Sequence, residues 1–549
     1  MLGIRRSSFG TLAFTSALLG IALPVACGGD ESSTLTTSGT TVSSADTGTT
    51  SQAASMMGAG GSTLQFMDGP MTAGAGGDIA TVATATASTG TGEGGTGTVK
   101  YGWDMAFGGT NAMDVVSAYD VAVDKNGDII VVGSFRGNID FDGNGASGPV
   151  ASKGDFDAFI AKYSSTGMLK WLKTAGAGDP QTANAVTVDK DNRVGVCGTF
   201  RGAVNFGGNN LQVNDGQYSD AFAVVFDSDG NHIASQRYGG NTLGKSDLCA
   251  GAAFDATGNL IITGQSQGQV NFGTTAVGDN NGDFKIYLAK LTPNMGTKGF
   301  NEVFAKAFVS PGVSSQGSAV ANSMEGDIAL GGSTEGPIQL GGVTLTPKTA
   351  GVQQAIVGRY DATGAAKFTK MFLSEGNSQV TSVAFHTNGD MLVGGTFRDS
   401  IDFGNGPVMA TGPANDVFVA RFDKSNKLVY GVRIGDAATD DLSDLALDSA
   451  GFPVFAGSFQ GTPTINSKTT LMAKGLRDGM VVKLAPDDGH GYWGLGFGDT
   501  DFQEARGIAV NAQGSVIFVG NFKGTVDFGG GLRIAPNGSQ SAFIGSLLP

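Results

Sequence analysis

Val131-Val132-Gly133-Ser134-Phe135 is followed one unit later by Val196-Cys197-Gly198-Thr199-Phe200. The same glycine after an apolar run recurs at Gly264, Gly332, Gly395, Gly457 and Gly520. The spacings are 65, 66, 68, 63, 62 and 63 residues. A fixed period of this size marks a repeat architecture. The length of 549 residues, which alone suggests three domains, is therefore read as seven units filling residues 101–549.

Other positions keep a set offset from this glycine. Eight residues later stand Phe141, Phe206, Phe272, Leu340, Phe403, Ile465 and Phe528. All are large and apolar, which marks a core position. Six residues earlier stand Gly127, Asn192, Gly258, Gly326, Gly389, Gly451 and Gly514. Gly or Asn at a recurrent site predicts positive φ in a hairpin turn.

Each unit reads as four strands. In the first unit they cover residues 116–124, 128–137, 157–163 and 168–173, with a longer connection between the second and third. No segment shows helical periodicity, and β-branched residues dominate the apolar runs. Four-stranded units repeated seven times predict an all-β fold, a β-propeller. The last unit ends with its third strand at residues 541–548 and lacks a fourth. Tyr101-Gly102-Trp103-Asp104-Met105-Ala106-Phe107 matches the fourth strands of other units, Leu169-Lys170-Trp171 and Tyr492-Trp493 among them. The N-terminal strand is therefore predicted to join the last blade and close the ring, which removes open edges.

The run Gly524-Thr525-Val526-Asp527-Phe528-Gly529-Gly530, with Asp-x-Phe, an apolar residue and Ala-Lys at the third strand, resembles the seven-bladed β-propeller repeat (SBBP) family of bacterial surface proteins. The likeness covers residues 98–549. It implies the propeller fold and an exported or envelope protein, and it brings no catalytic motif. Units four and six depart from it: Ser333-Thr334-Glu335 lacks the Phe, and residues 462–467 lack Asp-Phe-Gly. Those two blades are expected to be irregular.

Residues 1–26 read as a signal peptide, with Arg5 and Arg6 before an apolar run from Phe9 to Val25. Leu23-Pro24-Val25-Ala26-Cys27-Gly28-Gly29 resembles a bacterial lipoprotein signal, which implies lipidation of Cys27. Several acyl chains on one cysteine hold a protein stably on a membrane. Residues 27–97 are rich in Ser, Thr and Gly, cannot bury enough apolar surface to order, and read as a disordered tether. The expected localisation is the bacterial cell envelope, at the outer membrane or cell surface. This start also resembles surface lipoproteins of myxobacteria-like organisms.

Composition narrows the function. Of 549 residues 90 are glycine, without a collagen period, and three are cysteine, too few for a disulfide framework. The net charge of −15, with no basic run, argues against nucleic-acid binding. His232, His386 and His490 fall at unrelated positions of different units, so no histidine metal site or histidine-assisted nucleophile is expected, and no cofactor. Cys197 and Cys249 read as buried small residues, with a pairing between units two and three left open. Asp124-Lys125-Asn126-Gly127-Asp128 and Asp227-Ser228-Asp229-Gly230-Asn231 look like the start of a calcium loop but lack its distal Glu, and hairpin turns call for the same residues.

A polar ring is the candidate binding face. Three residues after the repeated glycine stand Arg136, Arg201, Gln267, Glu335, Arg398, Gln460 and Lys523. Seven residues after it stand Asp140, Asn205, Asn271, Gln339, Asp402, Thr464 and Asp527. Long loops on a rigid scaffold carry binding surfaces. Pairing of Arg with Asp inside each unit is the competing account. The function expected is a monomeric, non-catalytic binding or scaffold module for a protein or glycan, held to a membrane by its lipid. A lyase or glycan-acting enzyme with a site over the central channel, and a structural surface protein without a ligand, are the alternatives.

Overall fold

The computed structural model describes residues 99–240, 244–278, 282–466 and 469–549. The signal peptide, Cys27 and the tether to residue 97 lie outside the described residues. Among the described residues the chain is all-β, with one short 3-10 turn at Pro536–Gly538. It forms seven four-stranded antiparallel sheets, each with its strands in the order first, second, third, fourth. Sheet 1 comprises Val115–Val123, Ile129–Arg136, Asp157–Tyr163 and Leu169–Ala175. Sheets 2 to 6 follow in sequence. Sheet 7 takes Gln503–Val510, Val516–Phe522 and Ser541–Leu548, and its fourth strand is Lys100–Phe107 from the other end of the chain. Met105 sits opposite Ile544 and Phe107 opposite Ala542.

The sheets pack face to face, as in a β-propeller. The first strand of each sheet lies against that of the next, and the first strand of sheet 7 lies against that of sheet 1. A backbone bond stitches each neighbouring pair. The amide of Gln181, Asp247, Ser315, Ser378, Asp440 or Gln503 donates to the carbonyl just before the preceding sheet's third strand, at 2.7–2.8 Å. Val116 does the same to Gln540 between sheets 7 and 1, at 3.1 Å.

The repeated glycine has a steric cause. Every first strand carries a bulge opposite it, for example between Ala118 and Asp120 and between Ala505 and Gly507. The bulge pushes a carbonyl into the space a side chain would occupy. A Cβ at Gly133 would lie 1.9 Å from Ser117 O, and one at Gly520 would lie 2.0 Å from Glu504 O. The turn position six residues earlier has positive φ in all seven units, from Asn192 at 60° to Gly389 at 89°.

The large residue eight positions on is buried in every unit. It fills the wedge between the outer edges of diverging sheets. Phe141 packs on Phe107 of sheet 7 as well as on Phe159 of its own sheet, and Phe272 stacks on Tyr238 of sheet 2. The long second-to-third connection is a small hairpin in each unit, such as Asn138–Ile139 with Val150–Ala151. Units four and six keep all four main strands. Thr334 is buried where five other units place Phe and unit three places Ser266, and the small hairpin of unit six carries a register shift between Thr464 and Asn466.

Candidate functional site

The inner wall is built by the bulges. A bulged residue, or the one after it, reaches across to the backbone of the next first strand. Asn184 Nδ2 donates to Cys249 O at 2.8 Å, and Thr381 Oγ1 to Leu442 O at 2.9 Å. In the other direction Asp120 Oδ2 accepts from Val186 N at 2.8 Å, and Asp444 Oδ2 from Ile508 N at 2.9 Å. Asp120 and Asp444 come near each other because Gly507 stands between them on the intervening strand. A Cβ there would lie 2.8 Å from Asp120 Cα. Burial, and then the neighbouring Asp444, pushes the Asp120 carboxyl well above the ordinary range. Burial also raises Asp444. Each carboxylate is spent on two backbone amides, and Asp444 also accepts from Ser382 Oγ.

A polar network crosses one edge of sheets 5, 6 and 7. Arg398 Nε donates to Asn415 Oδ1 at 2.6 Å, and Asn415 Nδ2 to Asp441 Oδ1 at 3.0 Å. Arg477 pairs with the other oxygen of Asp441. Next along, Arg506 Nε donates to Glu504 Oε1 at 2.6 Å, and Asn521 Nδ2 to the same oxygen at 3.1 Å. Arg477 feels Glu504 favourably, but burial is the larger effect and lowers its pKa. Arg398 is exposed, and Asp441, Arg477 and Arg506 are half-buried. The result is a charged, hydrogen-bonding surface whose members hold one another in place. Met472 and Leu476, both about 70% exposed, lie on the sheet 6 connection just before Arg477. Only Arg398 of this network belongs to the ring expected from sequence. Asn415, Asp441, Arg477 and Glu504 sit at strand starts, Arg506 on a bulge and Asn521 near a strand end, where one unit offers no sign of its neighbour across the junction.

The expected ring separates into two local devices. The residues three after the repeated glycine clamp the segment entering the third strand of their own sheet. Arg136 pairs loosely with Asp155 at 3.9 Å and lies over the Phe156 ring, while Arg201 Nε donates to Ser219 Oγ at 3.3 Å. Arg201, Arg398 and Lys523 remain exposed. The residues seven after it cap turns of the small hairpin. Asp140 accepts from Asp142 N and Gly145 N, Asn205 from Gly207 N, Asn271 from Gly273 N, Asp402 from Gly404 N and Gly406 N, and Asp527 from Gly529 N and Gly531 N. The competing account, pairing of Arg with Asp inside each unit, is met by Arg136 with Asp155, while the residues seven after the glycine bond their own turns. Short side chains reach their own turn first.

Acid–base pairs do recur, at a different position. The sixth residue of the third strand is Lys162, Lys290, Arg359, Arg421 or Lys483 in sheets 1, 3, 4, 5 and 6. Each is buried against an aspartate of its own first-to-second turn, as Lys290 is against Asp255 at 2.7 Å and Arg359 against Asp327 at 2.7 Å. Four of them also donate to a carbonyl in the next sheet's outer turn: Lys162 to Ser228, Lys290 to Ala362, Arg359 to Lys424 and Arg421 to Pro486. One cation thus clasps its own turn and the neighbouring sheet.

The remaining candidates also have local roles. Asp124 accepts from Asn126 N, Asp128 N and Lys162, and Asp227 from Asp229 N and Asn231 N, so these loops are turns. His232 bonds Ser235 Oγ, His386 Nδ1 accepts from Asn388 N, and His490 pairs with Asp488, in sheets 2, 5 and 6. No group of three metal-ligating residues occurs among the described residues. Cys197 and Cys249, read from sequence as buried small residues, form a disulfide between sheets 2 and 3, with Cα atoms 5.8 Å apart. No helix among the described residues is long and apolar enough to cross a membrane. A groove of about 450 Å³ lies at the outer strands of sheets 3 and 4, against Lys306, Phe308, Gln339 and Tyr360.

No protein-family profile and no curated protein matches the chain. Solved structures similar to it include a protein of unknown function from Dyadobacter fermentans, at 11% identity and a TM-score of 0.37, covering 82% of this chain and 99% of that one. A catalytically inactive virginiamycin B lyase from Staphylococcus aureus with quinupristin aligns at 10% identity and a TM-score of 0.39, over 81% and 99%. The C-terminal WD40 domain of Sif2 aligns at 8% identity and a TM-score of 0.37, over the same shares.

Proposed function

We propose that this protein is a non-catalytic binding or scaffold module, a seven-bladed propeller of the SBBP kind whose ring is closed by its N-terminal strand. It binds a protein or glycan, not nucleic acid, and works as a monomer held to the cell envelope through a lipid on Cys27. The network from Arg398 to Arg506 carries the binding reading. It gathers both charges, amide groups and exposed apolar side chains on one edge of a rigid frame, which suits recognition of a polar macromolecular surface. The inter-sheet disulfide supports export, since such bonds persist in oxidising compartments.

The enzyme reading has one observation in its favour, the neighbouring buried carboxyls Asp120 and Asp444 on the inner wall. Their oxygens already serve as links between strands, which favours the non-catalytic reading. A pull-down from envelope extracts together with a glycan array tests the choice. Specific retention that is lost in Arg398→Ala but kept in Arg201→Ala, on sheet 2, supports binding through this edge. Failure to retain anything specific points to a purely structural surface protein. Substrate turnover abolished by Asp120→Asn points to the enzyme. Cys27→Ala should release the protein from membranes, and unchanged membrane retention would reject the lipid anchor.

A further inference from the structure

At every junction the first residue of one sheet's third strand meets the first residue of the next sheet's first strand. The pairs are Asp157 with Gln181, Asp220 with Asp247, Lys285 with Ser315, Gln354 with Ser378, Asp416 with Asp440, Asp478 with Gln503, and Ser541 with Val116, the second residue of its strand but the one in the same register. Four junctions contain an amide or ammonium that donates a hydrogen bond, from Gln181, Lys285, Gln354 and Gln503; at the junction of sheets 7 and 1 the Ser541 hydroxyl has no partner. Two, between sheets 2 and 3 and between sheets 5 and 6, consist of two carboxyl groups.

The contacts are close and dry. Asp416 and Asp440 are fully buried, and Asp247 is 1% exposed. At Gly435 a Cβ would lie 2.4 Å from Asp416 Oδ1 and 2.9 Å from Asp440 Oδ2, so both carboxyls crowd one point. The Oδ1 atoms of Asp416, Asp440 and Asp247 have no hydrogen-bond partner; Asp157 and Asp478 share this at the two Asp–Gln junctions, so the distinguishing feature is the second carboxyl of the pair. The equivalent glutamines show what is missing. Gln503 Oε1 accepts from Asp499 N, as Asp440 Oδ2 accepts from Asp436 N. The other atom of Gln503, Nε2, donates to Lys523 O at 2.8 Å, and Gln181 Nε2 donates likewise to Arg201 O. Asp440 and Asp247 place an oxygen where their counterparts place an N–H donor.

We propose that the Asp416–Asp440 and Asp220–Asp247 junctions each hold one proton between two carboxyl groups, so that two of the seven seams are pH-sensitive. The surroundings support this. Asp440 faces Asp416, Asp436, Arg433 and Arg477; Arg433 is bonded to Asp416 Oδ2 at 3.0 Å, which leaves Asp440 as the proton's natural holder. Asp247 faces Asp220, Arg237 and Tyr287, with Arg237 paired to Asp220. Burial pushes Asp440 up to about 8 and Asp247 to about 7, against the pull of the Asp436 amide on the first and the Gly240 amide on the second. These carboxyls bind a proton more tightly folded than unfolded, so the added stability is complete below about pH 4 and lost as pH rises through about 7 to 8.

The test is equilibrium unfolding of the full chain between about pH 5 and 9.5. The unfolding constant should rise up to about tenfold per pH unit for each pair and level off above about pH 8. Asp247→Asn with Asp440→Asn, which supplies an amide donor at the same length, should flatten that slope and be the more stable form at high pH. Asp440→Gln, the residue native to two sister sheets, is the second variant. An infrared carboxylic-acid band in the unaltered protein near neutral pH, gone at alkaline pH, reads the proton directly. An unchanged slope in the variants, absence of that band, or calcium stabilising the native protein but not Asp440→Asn overturns the proposal.

Discussion

Replacing Lys290 by Met tests the clasp between sheets 3 and 4. Lys290 Nζ lies 2.7 Å from Asp255 Oδ2 and donates to Ala362 O at 3.2 Å, with side chains only 7% and 6% exposed in the ion pair. Breaking a buried pair by removing one partner costs about 3–5 kcal/mol when the other charge is stranded. Here Asp255 is not stranded. Its Oδ1 keeps Thr257 N, Thr257 Oγ1 and Asn259 N, and its Oδ2 keeps Asn259 Nδ2. Lys290→Met should therefore cost about 2–3 kcal/mol, below that range, because four donors remain. Asp255→Leu should cost the full 3–5 kcal/mol or so, since it leaves an ammonium with one carbonyl and also unties the turn. The double variant should cost less than the sum, with a coupling of about 1–3 kcal/mol.

The assay is urea denaturation followed by hydrogen exchange at the two clasped turns, residues 255–259 and 361–365. A clasp between sheets predicts faster exchange in both turns, including the one in sheet 4 that carries no substitution. The Asp255 carboxyl adds a pH signature. Burial raises its pKa, but the bonds from Lys290 and Asn259 outweigh this and hold it below the ordinary range. A carboxyl depressed by folding adds stability above about pH 4 that is lost as pH falls, so Lys290→Met should shrink the acid loss. A cost under about 0.5 kcal/mol for Lys290→Met, with unchanged exchange in sheet 4, would refute the reasoning, because a surface pair gives the same small number.

Three other outcomes are expected. Gly520→Ala places a Cβ 2.0 Å from the Glu504 carbonyl, which the bulge fixes, and should cost about 3 kcal/mol or more in thermal or chemical unfolding. Reducing Cys197–Cys249, which spans 52 residues, should cost about 4 kcal/mol by loop entropy, and mass spectrometry of the unreduced protein should find no free thiol at either cysteine. Deleting residues 98–109 removes the strand that pairs with Ser541–Leu548, and should lower the melting temperature and speed exchange in sheet 7; an unaltered melt counts against ring closure.

What the sequence made legible is what each unit states alone. Positive φ at the turn glycines, burial at the Phe141 position and the third strand at Asp157–Tyr163 all follow from local pattern and recur as read. The displaced fourth strand was legible because Tyr101–Phe107 looks like Tyr492–Phe497, a comparison between units that needs no geometry. What stayed hidden lies between sheets. Cys197 and Cys249 are 52 residues apart, and the direction of their Cβ atoms depends on two strands packing face to face. The clasp was hidden for the same reason. Lys290 and Asp255 are separated by 35 positions, and the Ala362 carbonyl belongs to another sheet. Offsets along the chain do not show that hairpin geometry sends the third and seventh residues of the polar ring to different tasks.

The differences among the seven copies say more about this protein than their likeness does. The clasp cation is missing in sheet 7, where Ser546 stands at its position, and in sheet 2, where Val225 does; in sheet 2 Arg193 holds Asp189 and reaches Gly258 O of the next sheet instead. That same sheet is tied to sheet 3 by the disulfide. The junction of sheets 2 and 3 thus lacks the clasp but has two other links. The polar network breaks the symmetry differently. The position of Arg506 on the bulge is Tyr119, Asn184, Ala250, Ser318, Thr381 and Ser443 in the other sheets, and that of Glu504 is Ser117, Thr182, Leu248, Gln316, Gln379 and Asp441. An ion pair at this place is not needed to build a sheet, since five of the others fold without a charge at either position. Glu504 is only 6% exposed, so its charge is costly to bury unless the pair does something besides hold the fold. That cost, confined to one edge of three sheets, is the reason to look there for the ligand.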